Sequence, residues 1–221
     1  MAKRHQQRGA AGREAGRQLS MFGAETTEPS PADLAGLLAG PGRLGRMGGT
    51  ARVTVCVDAA WRVHVLVSEL VARGLAATWA PVEQNPDGVR DDDLATPEEG
   101  TGEPPPQIFE VRTAYSQRLN GLARAWPAAA AQLFLSGPRL RLWVAAAGGP
   151  RPGGYALGLD PEKDAPAVEA ALVRAGLAGR LSDDGRYYLI TGRRRLRRLA
   201  ELVGERPPAA PREVWPGGAA A

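Results

Sequence analysis

Two stretches of this chain repeat each other at one fixed spacing, and that duplication constrains the fold more than any other feature. The strand-like VTVCVD at 53–58 is matched by YALGLD at 155–160, and the helix end LVARGLA at 70–76 by LVRAGLA at 172–178, both 102 residues apart. A shared offset means that nothing is inserted between the matched stretches, so supersecondary units are duplicated rather than single elements. Further on, FEVRT at 109–113 answers YYLIT at 187–191 at an offset of 78, and Leu119 and Leu122 align with Leu196 and Leu199 at 77. The offset therefore falls by 24 or 25 residues, which places one insertion in the first copy.

Composition locates that insertion independently. Residues 83–103 hold Glu83, Asp87, Asp91, Asp92, Asp93, Glu98, Glu99 and Glu103 against Arg90, a net −7, and run into Pro104, Pro105 and Pro106. So few apolar residues cannot offset the entropy of ordering, and the stretch 83–106 is read as a loop. An acidic cover for a basic face is the alternative to a plain spacer. Deleting residues 84–104 separates the two, since only removal of a cover would tighten binding of a polyanion to that face. Residues 1–20 carry Lys3, Arg4, Arg8, Arg13 and Arg17 against Glu14, a net +4, and 1–30 reads as a disordered basic arm. The formal net charge of the whole chain is +4, so the remainder carries +7. The Pro- and Ala-rich stretch 207–221 shows no periodicity and reads as a disordered tail.

Between arm and tail the local signals are regular. VTVCV reads as a strand, and Trp61 to Arg73 puts Val63, Leu66, Val67, Leu70 and Val71 on one helical face before Gly74 closes it. Asp164 offers a cap to the partner helix and Gly176 ends it. A strand pair follows in each copy: Ala77–Val82 with Ile108–Thr113, and Gly179–Ser182 with Arg186–Thr191, the latter turned by Asp183, Asp184 and Gly185. A last helix packs Leu119, Leu122 and Trp126, or Leu196, Leu199 and Val203, and an apolar segment precedes each unit, at Ala32–Leu38 and Gln132–Val144. The predicted architecture is α+β: two pseudo-symmetric αββαββα units, repeat 1 over about 31–127 and repeat 2 over about 131–206.

That doubled order resembles the LAGLIDADG homing-endonuclease fold. Leu34-Ala35-Gly36-Leu37-Leu38-Ala39-Gly40-Pro41-Gly42 matches the namesake motif at its first four positions and its final Gly, and Leu140-Arg141-Leu142-Trp143-Val144-Ala145-Ala146-Ala147-Gly148 fits the same slot more loosely. Residues 31–206 are also similar to the N-terminal part of the WhiA sporulation regulators, through GPGRLGRMGGTARVTVCVD and the span from GGYALGLD to GRYYLITG. The resemblance implies a saddle of two four-stranded sheets whose concave face meets double-stranded DNA. It also implies a metal-binding acid at the eighth motif position, because a divalent cation that activates water needs carboxylate oxygens. Here those positions are Pro41 and Ala147, and the sixth positions are Ala39 and Ala145. The expectation is a protein that is not an enzyme, with no metal site and no cofactor. No helix-turn-helix follows Arg206, so the WhiA route to operator DNA is expected to be absent.

On that saddle, alternation sets Arg52, Thr54 and Cys56 opposite Val53, Val55 and Val57, and Arg112 opposite Val111 and Thr113. Arg43, Arg46, Arg151, Arg180 and Arg186 lie in neighbouring strands or turns. Arginine suits phosphate contact and bidentate recognition of guanine, so these seven form the candidate nucleic-acid-binding set, against the plain reading of solvating arginines in an Arg-rich chain. A second basic patch, Arg193, Arg194, Arg195, Arg197 and Arg198, lies on the solvated side of a helix on the convex side of the fold. It is read as a solubilising face or the dock for an acidic protein partner. Asp58 and Asp160 occupy equivalent places and read as helix caps, His64 as a structural histidine, and Cys56 as unreactive.

A single cysteine excludes an internal disulfide and a cysteine-based zinc site. No apolar run reaches the length of a membrane span, and the N-terminus has no apolar signal segment. A monomer in the cytoplasm is expected, acting as a DNA-binding or transcription-associated regulatory module, or alternatively as a scaffold for an acidic partner.

Overall fold

The computed structural model describes residues 28–82 and 107–218; the basic arm to residue 27 and the acidic stretch 83–106 lie outside the described residues. A 3-10 turn over Pro31–Leu34, closed by a capping box between Ser30 and Asp33, runs into helix α1, Ala35–Ala39. The chain continues through β1 (Arg43–Met47), β2 (Thr50–Val57), α2 (Ala60–Ala72), β3 (Ala77–Pro81), β4 (Phe109–Thr113) and α3 (Asn120–Ala125). The second unit repeats the series: α4 (Gly137–Ala147), β5 (Gly148–Arg151), β6 (Gly154–Gly158), α5 (Ala165–Arg174), β7 (Gly179–Leu181), β8 (Tyr187–Thr191) and α6 (Arg193–Val203). Each unit forms its own antiparallel sheet, ordered β1-β2-β4-β3 and β5-β6-β8-β7. The duplicated αββαββα plan is therefore the observed fold. Asp164 caps α5, its side chain accepting from the Ala167 N–H.

Strand register moves one sequence alignment by a residue. Val55 stands opposite Val111 and Leu157 opposite Tyr188, so β4 corresponds to β8 at an offset of 77 rather than 78. Because side chains alternate faces, that single step exchanges the two sides: Arg112 corresponds to Leu189, not Ile190. The apolar likeness of FEVRT to YYLIT misaligned them; the hydrogen-bonded ladder decides.

The units share one core along the contact of α1 with α4. Leu34, Leu37 and Leu38 from the first unit and Leu140, Trp143 and Val144 from the second are all buried in it. Small residues permit the approach: a Cβ on Gly36 would lie 1.9 Å from the Arg139 carbonyl oxygen, and one on Gly40 2.3 Å from the indole nitrogen of Trp143. On α2 the buried set is Arg62, Val63, Val65, Leu66 and Leu70, while Val71, expected on this face, is exposed.

Charge is buried across the same seam. Arg73 reaches Asp33 at 3.1 Å and Glu69 at 2.7 Å, and Arg141 of α4 reaches the other oxygen of Glu69 at 2.6 Å while donating to the carbonyls of Val203 and Glu205. Burial alone would push the Glu69 carboxyl up, but hydrogen bonds from Arg141 and Arg73 overcome it and hold the group below the ordinary Glu range. A depressed folded-state pKa adds stability that is complete above the unfolded value, about 4.3, and disappears as pH falls through the folded value. Wild type should thus be more stable than Glu69→Gln at neutral pH, with the gap closing on acidification below about pH 4. Urea melts across that range check it, and a gap independent of pH would count against the assignment.

The stretch after Arg206, read from composition as a flexible tail, is instead packed through residue 218. Ala210 and Trp215 are buried, Tyr155 donates to the Val214 carbonyl at 3.0 Å, the Trp215 indole donates to Gly204 at 3.2 Å, and the Arg141 guanidinium lies 5.3 Å from the Trp215 ring centroid. One aromatic anchor outweighs the entropy of its Pro- and Ala-rich surroundings. Among the described residues no helix is long and apolar enough to cross a membrane.

Candidate nucleic-acid interface

Residues paired across antiparallel strands share a face, so register assigns every arginine of the candidate set to a side. In the first sheet one row runs Arg43, Thr54, Arg112, Thr78, and the next joins Gly45 to Arg52. In the second, the matching rows run Gly149, Ala156, Leu189, Arg180 and Arg151, Gly154, Thr191. The opposite face of each sheet carries the core: Val53, Val55, Val57 and Val111 in one, Tyr155, Leu157, Tyr188 and Ile190 in the other. Arg43, Arg52, Arg112, Arg151 and Arg180 therefore lie on the faces turned away from the core.

Two members of the set do not. Arg46 pairs with Ala51 on the core-facing side and donates to the carbonyls of Ala123 and Trp126, tying β1 to the end of α3. Arg186 lies in the bend just before β8, where its carbonyl accepts from the Leu159 N–H and its exposed side chain belongs to neither ladder row. Both were placed on the interface by nearness to a strand in sequence, without an alternation argument of their own.

Several of the five remaining guanidinium groups are held in place. The Arg43 Nε donates to Asp160 at 3.1 Å, Arg52 lies over the Tyr115 ring at 4.8 Å, Arg112 reaches Glu110 and Thr78 at 3.4 Å each, and Arg151 lies 5.7 Å from the Tyr187 ring centroid. Such contacts lower the side-chain entropy that would be lost on binding. Cys56 is exposed on the same face beside Glu110, and partial burial of the sulfur, then the Glu110 charge, push its thiol up from the ordinary Cys range.

Where the two motif helices end, each unit places a cation on the other. Arg62 of α2 donates to Val144, Ala145 and Gly148 carbonyls at 3.3, 3.1 and 2.8 Å, satisfying the C-terminus of α4. Lys163 donates to the Gly42 carbonyl just after α1 at 2.8 Å. Burial pulls the Lys163 ammonium below the ordinary Lys range, partly offset by Asp160. Burial would raise Asp160, but the Glu162 N–H and the Arg43 guanidinium hold it below the ordinary Asp range. Neither Asp58 nor Asp160 caps a helix as expected. Asp58 binds Arg62 at 2.8 Å, and Asp160 takes Arg43 and the Glu162 N–H, while Ala59 and Asp164 hold the cap positions. Sequence reasoning missed the roles of Arg62 and Lys163, since nothing local marks a cation aimed at a helix end 80 or 120 residues away in sequence. His64 is exposed on α2. Among the described residues no three His, Cys, Asp or Glu side chains cluster as a metal site would require.

No family model matches the sequence, and no curated protein matches it. Solved structures do. The homing endonuclease I-WcaI bound to its DNA recognition sequence superposes with a TM-score of 0.51 at 10% identity, over 80% of this chain and 82% of that one. I-DmoI in complex with DNA and Mn gives 0.45 at 13% identity over 80% and 97%, and mesophilic variants of I-DmoI give 0.42 at 16% over 80% and 96%. The LAGLIDADG-like fold stands on the first of these. One expectation is overturned by the same finding: Pro41 and Ala147 led to the reading of a protein that is not an enzyme, whereas the structure on which the fold likeness stands is a homing endonuclease, which is an enzyme.

Proposed function

We propose that the chain is a double-stranded-DNA-binding module whose contact surface is the pair of sheet faces carrying Arg43, Arg52, Arg112, Arg151 and Arg180. The observation that carries this reading is the register: five arginines spread over two separate sheets all fall on the sides opposite the apolar core, and four of them are exposed. A polyanion is the ligand such a surface attracts, and a planar guanidinium serves both phosphate oxygens and the major-groove edge of guanine. The fold likeness to an endonuclease captured on DNA supports the same ligand. We attach a transcription-associated role to it on the WhiA-like rhythm of residues 31–206 alone.

Binding to a duplex that neutralises Z phosphates loses log affinity against log salt with a slope of about −0.9Z. With three to five of these arginines engaged the slope should lie between about −2.7 and −4.5. Replacing Arg52, Arg112, Arg151 and Arg180 with Ala should flatten it by about 1.8 to 3.6, as two to four of them are engaged, and leave the melting temperature nearly unchanged, because none of the four is buried. Fluorescence anisotropy across a salt series measures both. No binding at low salt, or a slope untouched by the four replacements, would remove the proposal.

A further inference from the structure

The two sheets share a plan but not a surface. With the pair Val55–Val111 matched to Leu157–Tyr188, the row Arg43, Thr54, Arg112, Thr78 corresponds strand by strand to Gly149, Ala156, Leu189, Arg180. To one side of that row Gly45 and Arg52 correspond to Arg151 and Gly154, and to the other Cys56 and Glu110 correspond to Gly158 and Tyr187. On the face turned from the core, the central strands of the first sheet thus present Arg52, Thr54, Glu110 and Arg112. The central strands of the second present Gly154, Ala156, Tyr187 and Leu189 at the same places. Ala156 and Leu189 are only 6% and 7% exposed. The polar groups left on the second face stand at its margins: Arg151 on β5, Arg180 on β7, and Tyr187 and Thr191 at the two ends of β8. The five arginines of α6 are all exposed and belong to neither face.

Position across a sheet decides what a side chain meets on a duplex. Four strands about 4.8 Å apart span about 14 Å, close to the major-groove width of about 12 Å. When the strands follow the groove, the two central ones lie over the base edges and the outer ones beside the phosphates. Both arginines of the second face are on outer strands, whereas Arg52 and Arg112 are on central ones. Glu110 points the same way. A carboxylate weakens a surface that holds only phosphate, but beside base edges it accepts from the cytosine amino group, and at 3.4 Å it steadies Arg112. Arg112 also donates to Thr78 at 3.4 Å, and Arg52 is held over the Tyr115 ring, so both guanidinium groups are aimed before DNA arrives.

We infer that the first unit reads base sequence and the second grips the backbone alone. One half of the bound duplex then carries a preferred sequence built on G·C pairs, with guanine recognised by Arg52 and Arg112 and cytosine by Glu110, and the other half is bound whatever its sequence. This rests on the DNA-binding function proposed above and deepens it by assigning discrimination to one sheet.

The test selects tight-binding duplexes from a random-sequence pool with the full chain, then maps the protected backbone of a selected duplex with hydroxyl radicals. Protection should extend to both sides of the centre while base preference appears on one side only, with guanine or cytosine favoured by about 10- to 100-fold at the preferred positions. Arg112→Ala should erase the preference at one of those positions. Arg180→Ala should weaken selected and unrelated duplexes by the same factor and leave the preference intact. Both side chains are exposed, so neither replacement disturbs the core. Preference spread evenly over both halves, preference in neither, or a preference that Arg180→Ala erases and Arg112→Ala spares would overturn the inference while DNA binding itself stands. Failure to retain any duplex at low salt would remove the DNA-binding proposal and this inference together.

Discussion

Replacing Arg62 with Met should cost about 3–5 kcal/mol of stability, the range seen when one partner of a buried charged network is removed. For a domain of this size that is a fall in melting temperature of about 10 °C. The residue is only 8% exposed and its guanidinium serves three carbonyls at the end of α4, the Asp58 carboxylate at 2.8 Å, and the face of Trp61 at 4.5 Å. Methionine preserves most of the apolar stem but none of the donors. The Val144 carbonyl also accepts from the Gly148 N–H, so the loss falls on the carbonyls of Ala145 and Gly148, and each buried orphan costs about 1–3 kcal/mol. Lysine at the same place should recover only part of the loss, because one ammonium cannot fork toward three oxygens and a carboxylate together. Arg62 also belongs to one unit and α4 to the other, so the substitution loosens the register of the two sheets. DNA affinity should fall although no arginine of the proposed contact surface is altered. Denaturant unfolding gives the first number and anisotropy the second; a stability loss under about 1 kcal/mol would show that water replaces the guanidinium and that the helix end is not sealed.

Gly36→Ala should be nearly as damaging for a steric reason. The added methyl would sit 1.9 Å from a backbone oxygen of Arg139, and a backbone atom, unlike the tip of a side chain, can withdraw only if the whole of α4 shifts. Overpacking in a rigid contact costs about 1–3 kcal/mol and more where backbone is involved, so the expected loss is about 3 kcal/mol, with the two units displaced along their shared helices. Gly121→Ala is the matched comparison. It lies in α3 with nothing within 4 Å of its would-be Cβ, and alanine there should add about 0.5–1 kcal/mol by restricting the unfolded chain. The same chemical change should thus have opposite signs at two helical glycines. Thermal melts of the two variants decide, and equal effects would dismiss the close helix contact.

Much of the architecture was legible because it rests on local periodicity. Alternation in VTVCV placed Arg52, Thr54 and Cys56 opposite the core, and the same rule placed Arg112. The common offset of 102 exposed the duplication before any element was assigned. Legibility stopped where periodicity stopped. Arg46, inside β1, and Arg186, just before β8, were given to the interface on proximity in sequence alone; Arg46 falls on the core side and Arg186 outside the ladder. Composition misread residues 207–218, because a count of Pro and Ala assigns no weight to what a single Trp can anchor.

Order of elements, the doubling and the alternation of faces were set by the sequence on its own terms, since each shows in local periodicity or in direct repetition along the chain. Tertiary structure alone decided which arginines are tools and which are fasteners. Arg46, Arg62, Arg118, Arg141 and Arg174 each spend donors on backbone carbonyls between 41 and 86 residues away, while none of Arg52, Arg112, Arg151 and Arg180 donates to a distant backbone carbonyl. The physical reason is the side chain itself: a long flexible stem carrying five donors satisfies a distant helix end or a phosphate equally well, and only the packing of the chain around it determines which is within reach.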